Sequence, residues 1–157
     1  PRPISLSITQ PTPPHSDINS GIYNAQASQL TYAKLAELAA LVIAAGYSII
    51  VDAAFLKYPQ RETFQRLAEQ TSVPYVILDI TAPIALLRTR ISHRKQDISD
   101  ADLAVLEAQL ENYQPLHENE KSHVIPVNTA QTVDTQRLVD TLNNRTRDQV
   151  INPKKSK

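Results

Sequence analysis

Two carboxylates stand where a strand would hand the chain to a loop. Asp52 closes the run Ile49-Ile50-Val51-Asp52, and Asp79 closes Tyr75-Val76-Ile77-Leu78-Asp79. Apolar, β-branched runs of this length read as buried parallel strands, and open α/β sheets bind ligands at the C-terminal ends of such strands. A carboxylate placed there can hold Mg²⁺ through its waters or take the proton of a substrate hydroxyl. The same side chain can instead cap the following loop by accepting nearby backbone N–H groups. Position alone does not choose between Asp52 and Asp79.

Basic residues form the second constellation. Four of the 16 lysines and arginines lie between Arg88 and Lys95. Arg90 and Arg94 are four apart, so a helix holds them on one face with Cβ atoms about 6 Å apart, a spacing suited to bridging phosphate oxygens. A solvated helix face near a C-terminus, where the helix dipole favours cations, accounts for the same pattern. The polar stretch Gln96 to Asp102 joins two helices and suits a lid that closes over a ligand. Arg61 falls in the first turn of a predicted helix, where a positive charge opposes the dipole by some tenths of a kcal/mol. A surface arginine tolerates that cost, and a functional one would explain it.

Several chemistries have no support. There is no cysteine, so disulfides and thiolate metal sites are excluded, as a reducing cytoplasm permits. His15, His93, His117 and His123 show neither H-x-x-x-H nor H-E-x-x-H spacing, which argues against zinc, and no G-x-S-x-G elbow marks a serine hydrolase. Sixteen acidic residues balance sixteen basic ones, and the six Tyr and two Phe do not interleave with basic residues, so nucleic acid is not an expected partner. The longest apolar run, Leu38 to Ala45, is far short of the roughly 20 residues that span a bilayer, so no membrane span is predicted. The two glycines, Gly21 and Gly46, do not form a G-x-x-x-x-G-K-S/T phosphate loop.

The elements that position these residues alternate. Residues 1–20 hold five of the eleven prolines and read as a tail or linker, although Ile4, Leu6 and Ile8 alternate with polar residues as a short strand at a sheet edge would. The chain opens on proline rather than methionine, which leaves room for processing or trimming upstream. A helix is predicted from Ala25 to Ala45, with Leu35, Leu38, Val42 and Ala45 on one face and Gly46 ending it. Strand Ser48–Asp52 follows, then a helix from Gln60 to about Gln70 in which Phe64, Leu67 and Ala68 share a face. Pro74 stops that helix and Tyr75–Asp79 form the second strand. Thr81 and Pro83 read as the cap and first-turn proline of a helix reaching about Lys95. Ser99 and Asp102 open a further helix that ends before Pro115. His123–Val127 make a third strand, and Asp134 caps a last helix expected to fray past Asn144, leaving a polar basic tail over residues 145–157. This order implies an α/β fold with about three parallel strands and five helices in three layers.

These elements carry a resemblance. The segments Gly21-Ile22-Tyr23-Asn24-Ala25, Thr31-Tyr32-Ala33-Lys34-Leu35 and Ala44 through Leu56 are similar to the C-terminal portion of bacterial P-loop kinase-like ATP-binding proteins. So are Arg61 before Phe64, Val73 through Asp79, Ala82-Pro83, Leu87 through Ile91, Arg94, and Ser99 through Leu110. Proteins of that kind are often fused behind an aminoglycoside-phosphotransferase-like domain and are related to gluconate kinase-like and polynucleotide-kinase-like enzymes. The resemblance covers about Gly21 to Val127 and implies a partial P-loop NTPase domain of nucleotide-kinase type over residues 21–144. It also implies ATP and Mg²⁺ as cofactors and a cytoplasmic, ATP-dependent phosphotransferase. Asp52 becomes the Mg²⁺ or general-base carboxylate, Arg90 and Arg94 the phosphate-contacting lid arginines, and Arg61 a support of the site or a substrate contact. Tyr23 and Tyr32 match family positions without an assigned role.

The family's first strand and its glycine-rich loop have no counterpart before Gly21. Loss of such charge stabilisation costs several kcal/mol of barrier, so the chain alone is expected to show little or no kinase activity. The missing strand lies centrally in related kinases, between those matching Ile49–Asp52 and Tyr75–Asp79. The sheet must therefore close up, recruit Ile4–Ile8, or borrow a strand from a partner chain that also brings the phosphate loop. The alternative function is an interaction module, or half of a split kinase. The phosphate acceptor is not legible from one sequence.

Overall fold

The computed structural model describes residues 4–7, 21–94 and 100–151. The chain divides into two compact units, Pro1–Ser72 and Val73–Lys157.

In the first unit, β1 (Ile4–Ser7) pairs in parallel with β2 (Ile49–Asp52), with Ile4 beside Ile49 and Ser7 beside Asp52. Parallel neighbours need a long crossover, and helix α1 (Gly21–Ala44) supplies it. Its Ala- and Leu-rich sequence favours helix, and it buries Leu35 and, one turn on, Ala39. Gly46 ends it at φ 81, while Gly46 N–H bonds Ile43 C=O and Tyr47 N–H bonds Val42 C=O, the paired bonds that glycine in a left-handed turn permits. Helix α2 (Tyr58–Thr71) starts after Lys57, whose N–H donates to Gln60 Oε1 at 3.0 Å. It stops at left-handed Ser72, ahead of the proline expected to end it. Its buried face carries Ala68 and also Arg61.

In the second unit, β3 (Ile77–Thr81) pairs in parallel with β4 (Val124–Asn128), Ile77 beside Val124. Three helices lie between them in sequence: α3 (Ile84–Arg94), α4 (Asp100–Asn112) and the single-turn α5 (Glu118–Lys121). Leu106, Ile125 and Val127 are the buried apolar side chains described, joined by Glu120 and His123. The His123 ring stacks on Tyr75 at 4.3 Å, and Glu120 accepts the His117 N–H at 2.8 Å. Helix α6 (Thr135–Ile151) is capped as its sequence predicts, Asp134 Oδ1 accepting Arg137 N–H at 3.0 Å. The ladder places the backbone groups of Ile125 and Val127 toward β3, since Ile77 N–H bonds His123 C=O and Thr129 N–H bonds Thr81 C=O. Pro126 therefore turns its missing N–H to the outer edge of β4, the one place a strand proline is tolerated.

The expected architecture needs five corrections. The described strands form two two-stranded parallel sheets rather than one continuous sheet, and they number four rather than three. Ile4–Ser7, predicted as an edge strand, is the added one. The second predicted strand lies two residues further on, because Thr81 continues the β3 ladder instead of capping a helix. Finally, α6 runs past Asn144 to Ile151, because its end is tied down: the Gln149 side chain bonds both the N–H and the C=O of Tyr75, and Arg145 donates to Ser122 C=O. With α5, the described helices number six rather than five. No helix among the described residues is long and apolar enough to cross a membrane.

Candidate functional site

The strand ends separate the two aspartates. Asp52 is the last residue of β2 and is exposed, whereas Asp79 lies inside β3, opposite Pro126 and two residues short of its end. Only Asp52 occupies the C-terminal strand edge.

The loop that follows Asp52 is held by one residue. Phe55 has φ 47, in the left-handed region that a bulky side chain rarely enters and that costs on the order of 1–3 kcal/mol. Both of its backbone groups are engaged: its N–H donates to the Tyr32 hydroxyl oxygen at 2.9 Å, and its C=O accepts from Arg61 Nη1 at 3.1 Å. Its ring meets Tyr32 at 5.3 Å and stands edge-on to Phe64 at 5.2 Å. Helices α1 and α2 thus both grip the loop between β2 and α2.

Arg61 is 7% exposed and turns inward, so its guanidinium serves the chain itself. Its place on the Phe64 and Ala68 face of α2 was a legible sign of burial, three and seven residues apart. Tyr32 is the residue that sequence reasoning passed over. Burial raises its phenol above the usual 10.0, while the bond from Phe55 N–H pulls the other way. A raised folded value means stability that is intact below about pH 10 and lost as pH rises through the folded value. Urea midpoints between about pH 8 and pH 11 should fall more steeply for the wild-type chain than for Tyr32→Phe. Equal slopes would refute this.

In the second unit, Arg90 lies at the C-terminal ends of β3 and β4. Its Nη1 donates to Thr129 Oγ1 at 2.9 Å and its Nη2 to Thr129 C=O, while Thr129 Oγ1 donates to Thr81 C=O at 3.0 Å. Those two bonds leave three of the five guanidinium N–H donors of Arg90 available to a phosphate. Arg94, the last residue of α3, keeps the four-residue helical spacing from Arg90, but its side chain lies outside the described residues, as do residues 96–99 of the lid predicted over Gln96 to Asp102, whose last three residues open α4. Arg88 is committed to Glu107 of α4 at 2.6 Å in an exposed pair.

A family model described as an AAA domain, of P-loop NTPase-like kinase type, matches residues 8–116, which is most of the chain. The chain belongs to the AAA-domain family. The matched span contains Asp52, Arg61, Arg90 and Arg94 and begins within the proline-rich segment, upstream of the resemblance at Gly21. No curated protein and no solved structure matches the chain. Membership implies nucleotide binding, and the donors of this AAA domain answer that only in part. Asp52 offers one exposed carboxylate, and the described residues contain no cluster of three or more metal-ligating side chains. Gly46 closes α1, Gly21 opens it behind residues that lie outside those described, and the sequence holds no G-x-x-x-x-G-K-S/T loop to cradle phosphate. The described residues therefore do not fit a complete Mg-ATP site.

Proposed function

We propose that this chain is the acid-strand and lid-helix part of a kinase-like ATP-binding domain of phosphotransferase ancestry, and that these 157 residues alone transfer little or no phosphate. The observation that carries the reading is Asp52, exposed at the C-terminal end of a parallel strand within the family-matched span, in a sequence without the glycine-rich loop. In this reading Asp52 orients Mg²⁺ through its waters or takes the acceptor's proton, and Arg90 and Arg94 contact the phosphates. Arg61 supports the loop beside Asp52.

A second reading, half of a split kinase completed by a partner chain, has its own observation. The Leu78 and Ile80 backbone groups face away from β4, and the Ile80 side chain is exposed, so β3 offers an edge for strand addition that Pro126 denies to β4.

Titration calorimetry and turnover with Mg-ATP test both. The chain alone should show no micromolar binding and no turnover; micromolar binding together with turnover would overturn the inactivity in the first reading. Repeating the titration with a separately supplied strand-plus-phosphate-loop segment should restore binding if the second holds, and leave it absent if it does not.

A further inference from the structure

The residue that shapes the loop after Asp52 is the one least suited to its own backbone. A phenylalanine at φ 47 persists only where its surroundings over-determine it, and here they do so on three sides. Tyr32 accepts its N–H from α1, Arg61 donates to its C=O from α2, and its ring lies against Tyr32 and Phe64. Two residues, Ala53 and Ala54, separate Phe55 from Asp52, so fixing Phe55 narrows the paths open to the end of β2.

We propose that Tyr32 and Arg61 are positioning residues: by locking Phe55 in the left-handed conformation they fix the path of residues 53–56 and with it the direction in which the end of β2 presents Asp52. This rests on the reading of Asp52 as the acid of the site. The clamp answers a particular problem. No side-chain hydrogen bond or ion pair joins Asp52 to the other described residues, and the backbone that carries it sets the direction of its Cα–Cβ bond. Neither clamp residue touches a ligand in this scheme. Tyr32 acts through one hydrogen bond to Phe55 and ring contact, and Arg61 through the opposite backbone group of the same residue.

The test uses the full chain, no nucleotide, and six proteins: wild type, Tyr32→Phe, Phe55→Gly, the double variant of these two, Arg61→Lys and Arg61→Ala. Tyr32→Phe keeps the ring and removes only the hydroxyl, so folding survives, while glycine adopts positive φ without help. Amide hydrogen exchange and backbone NMR order parameters are read at Asp52, Ala53 and Phe55. In the Phe55 background, Tyr32→Phe should speed exchange at Phe55 by about 5- to 10-fold, as expected for one lost hydrogen bond, and lower the order parameters of Asp52 and Ala53. In the Phe55→Gly background exchange at residue 55 should still speed, because glycine keeps the N–H that Tyr32 accepts, but the order parameters of Asp52 and Ala53 should not change, because glycine holds positive φ without the clamp. Arg61→Lys should restore Phe55 protection relative to Arg61→Ala. An unchanged Asp52 order parameter in Tyr32→Phe, or equal losses of order parameter in both backgrounds, would overturn the proposal. Because no ATP enters the measurement, such a result leaves the nucleotide titrations to judge the proposed function separately.

Discussion

Leu35→Ala should lower the stability of the Pro1–Ser72 unit by about 2–5 kcal/mol. Leu35 is 1% exposed, and the other buried apolar side chains described in that unit are Ala39 and Ala68, both too small to refill the space. The loss has two parts, the transfer free energy of the missing methyl groups and the cavity left behind. Partial collapse of α1 onto α2 would bring the cost to the lower end of the range. Against a typical domain stability of about 5–15 kcal/mol, this is enough to populate unfolded protein measurably. Leu41 lies on the same helix but is 62% exposed, so Leu41→Ala should stay within about 0.5 kcal/mol of wild type. Urea unfolding followed by circular dichroism compares the two. Equal midpoints would show that α1 does not pack as described.

Arg61→Ala should cost about 2–3 kcal/mol, an unusual amount for an arginine. Most arginines snorkel to solvent and their loss is mild, whereas Arg61 is buried and its guanidinium holds the Phe55 carbonyl. Truncation removes the buried stem and leaves that carbonyl without its donor, beside a backbone already in a disfavoured conformation. Arg61→Lys should recover only part of the loss, since one ammonium replaces a planar fork of five donors. The same denaturation series measures it. A change below about 0.5 kcal/mol, the range of ordinary surface substitutions, would assign Arg61 to the surface.

Why the sequence revealed some of this and not the rest follows from the range of the interactions. Helix α1 and strand β2 were legible because their signals are local: a run of strong helix formers closed by Gly46, then three apolar, β-branched residues followed by Asp52. The cap of α6 by Asp134 is local as well. The length of α6 was not legible, because Gln149 reaches Tyr75 across 74 positions and a polar tail carries no periodicity that announces such a bond. Thr81 was misread because threonine serves equally as a helix cap and a strand residue, and only the partner Asn128 decides. At the candidate site, strand-end chemistry pointed to Asp52, while its support escaped notice. A left-handed phenylalanine cannot be read from composition, since the surroundings that compel it come from Tyr32, 23 positions earlier.

Pro126 has a consequence for how this protein can associate with itself. A sheet that exposes two open edges can add neighbours indefinitely and grow into a fibre, whereas one with a single open edge cannot. The β3–β4 sheet is of the second kind, because the outer side of β4 carries a proline where a donor is needed. If two copies met edge to edge through β3, each would turn its β4 outward, and the four-stranded product would have no free side to offer a third. The missing donor at Pro126 thus biases strand addition in this unit toward the β3 edge.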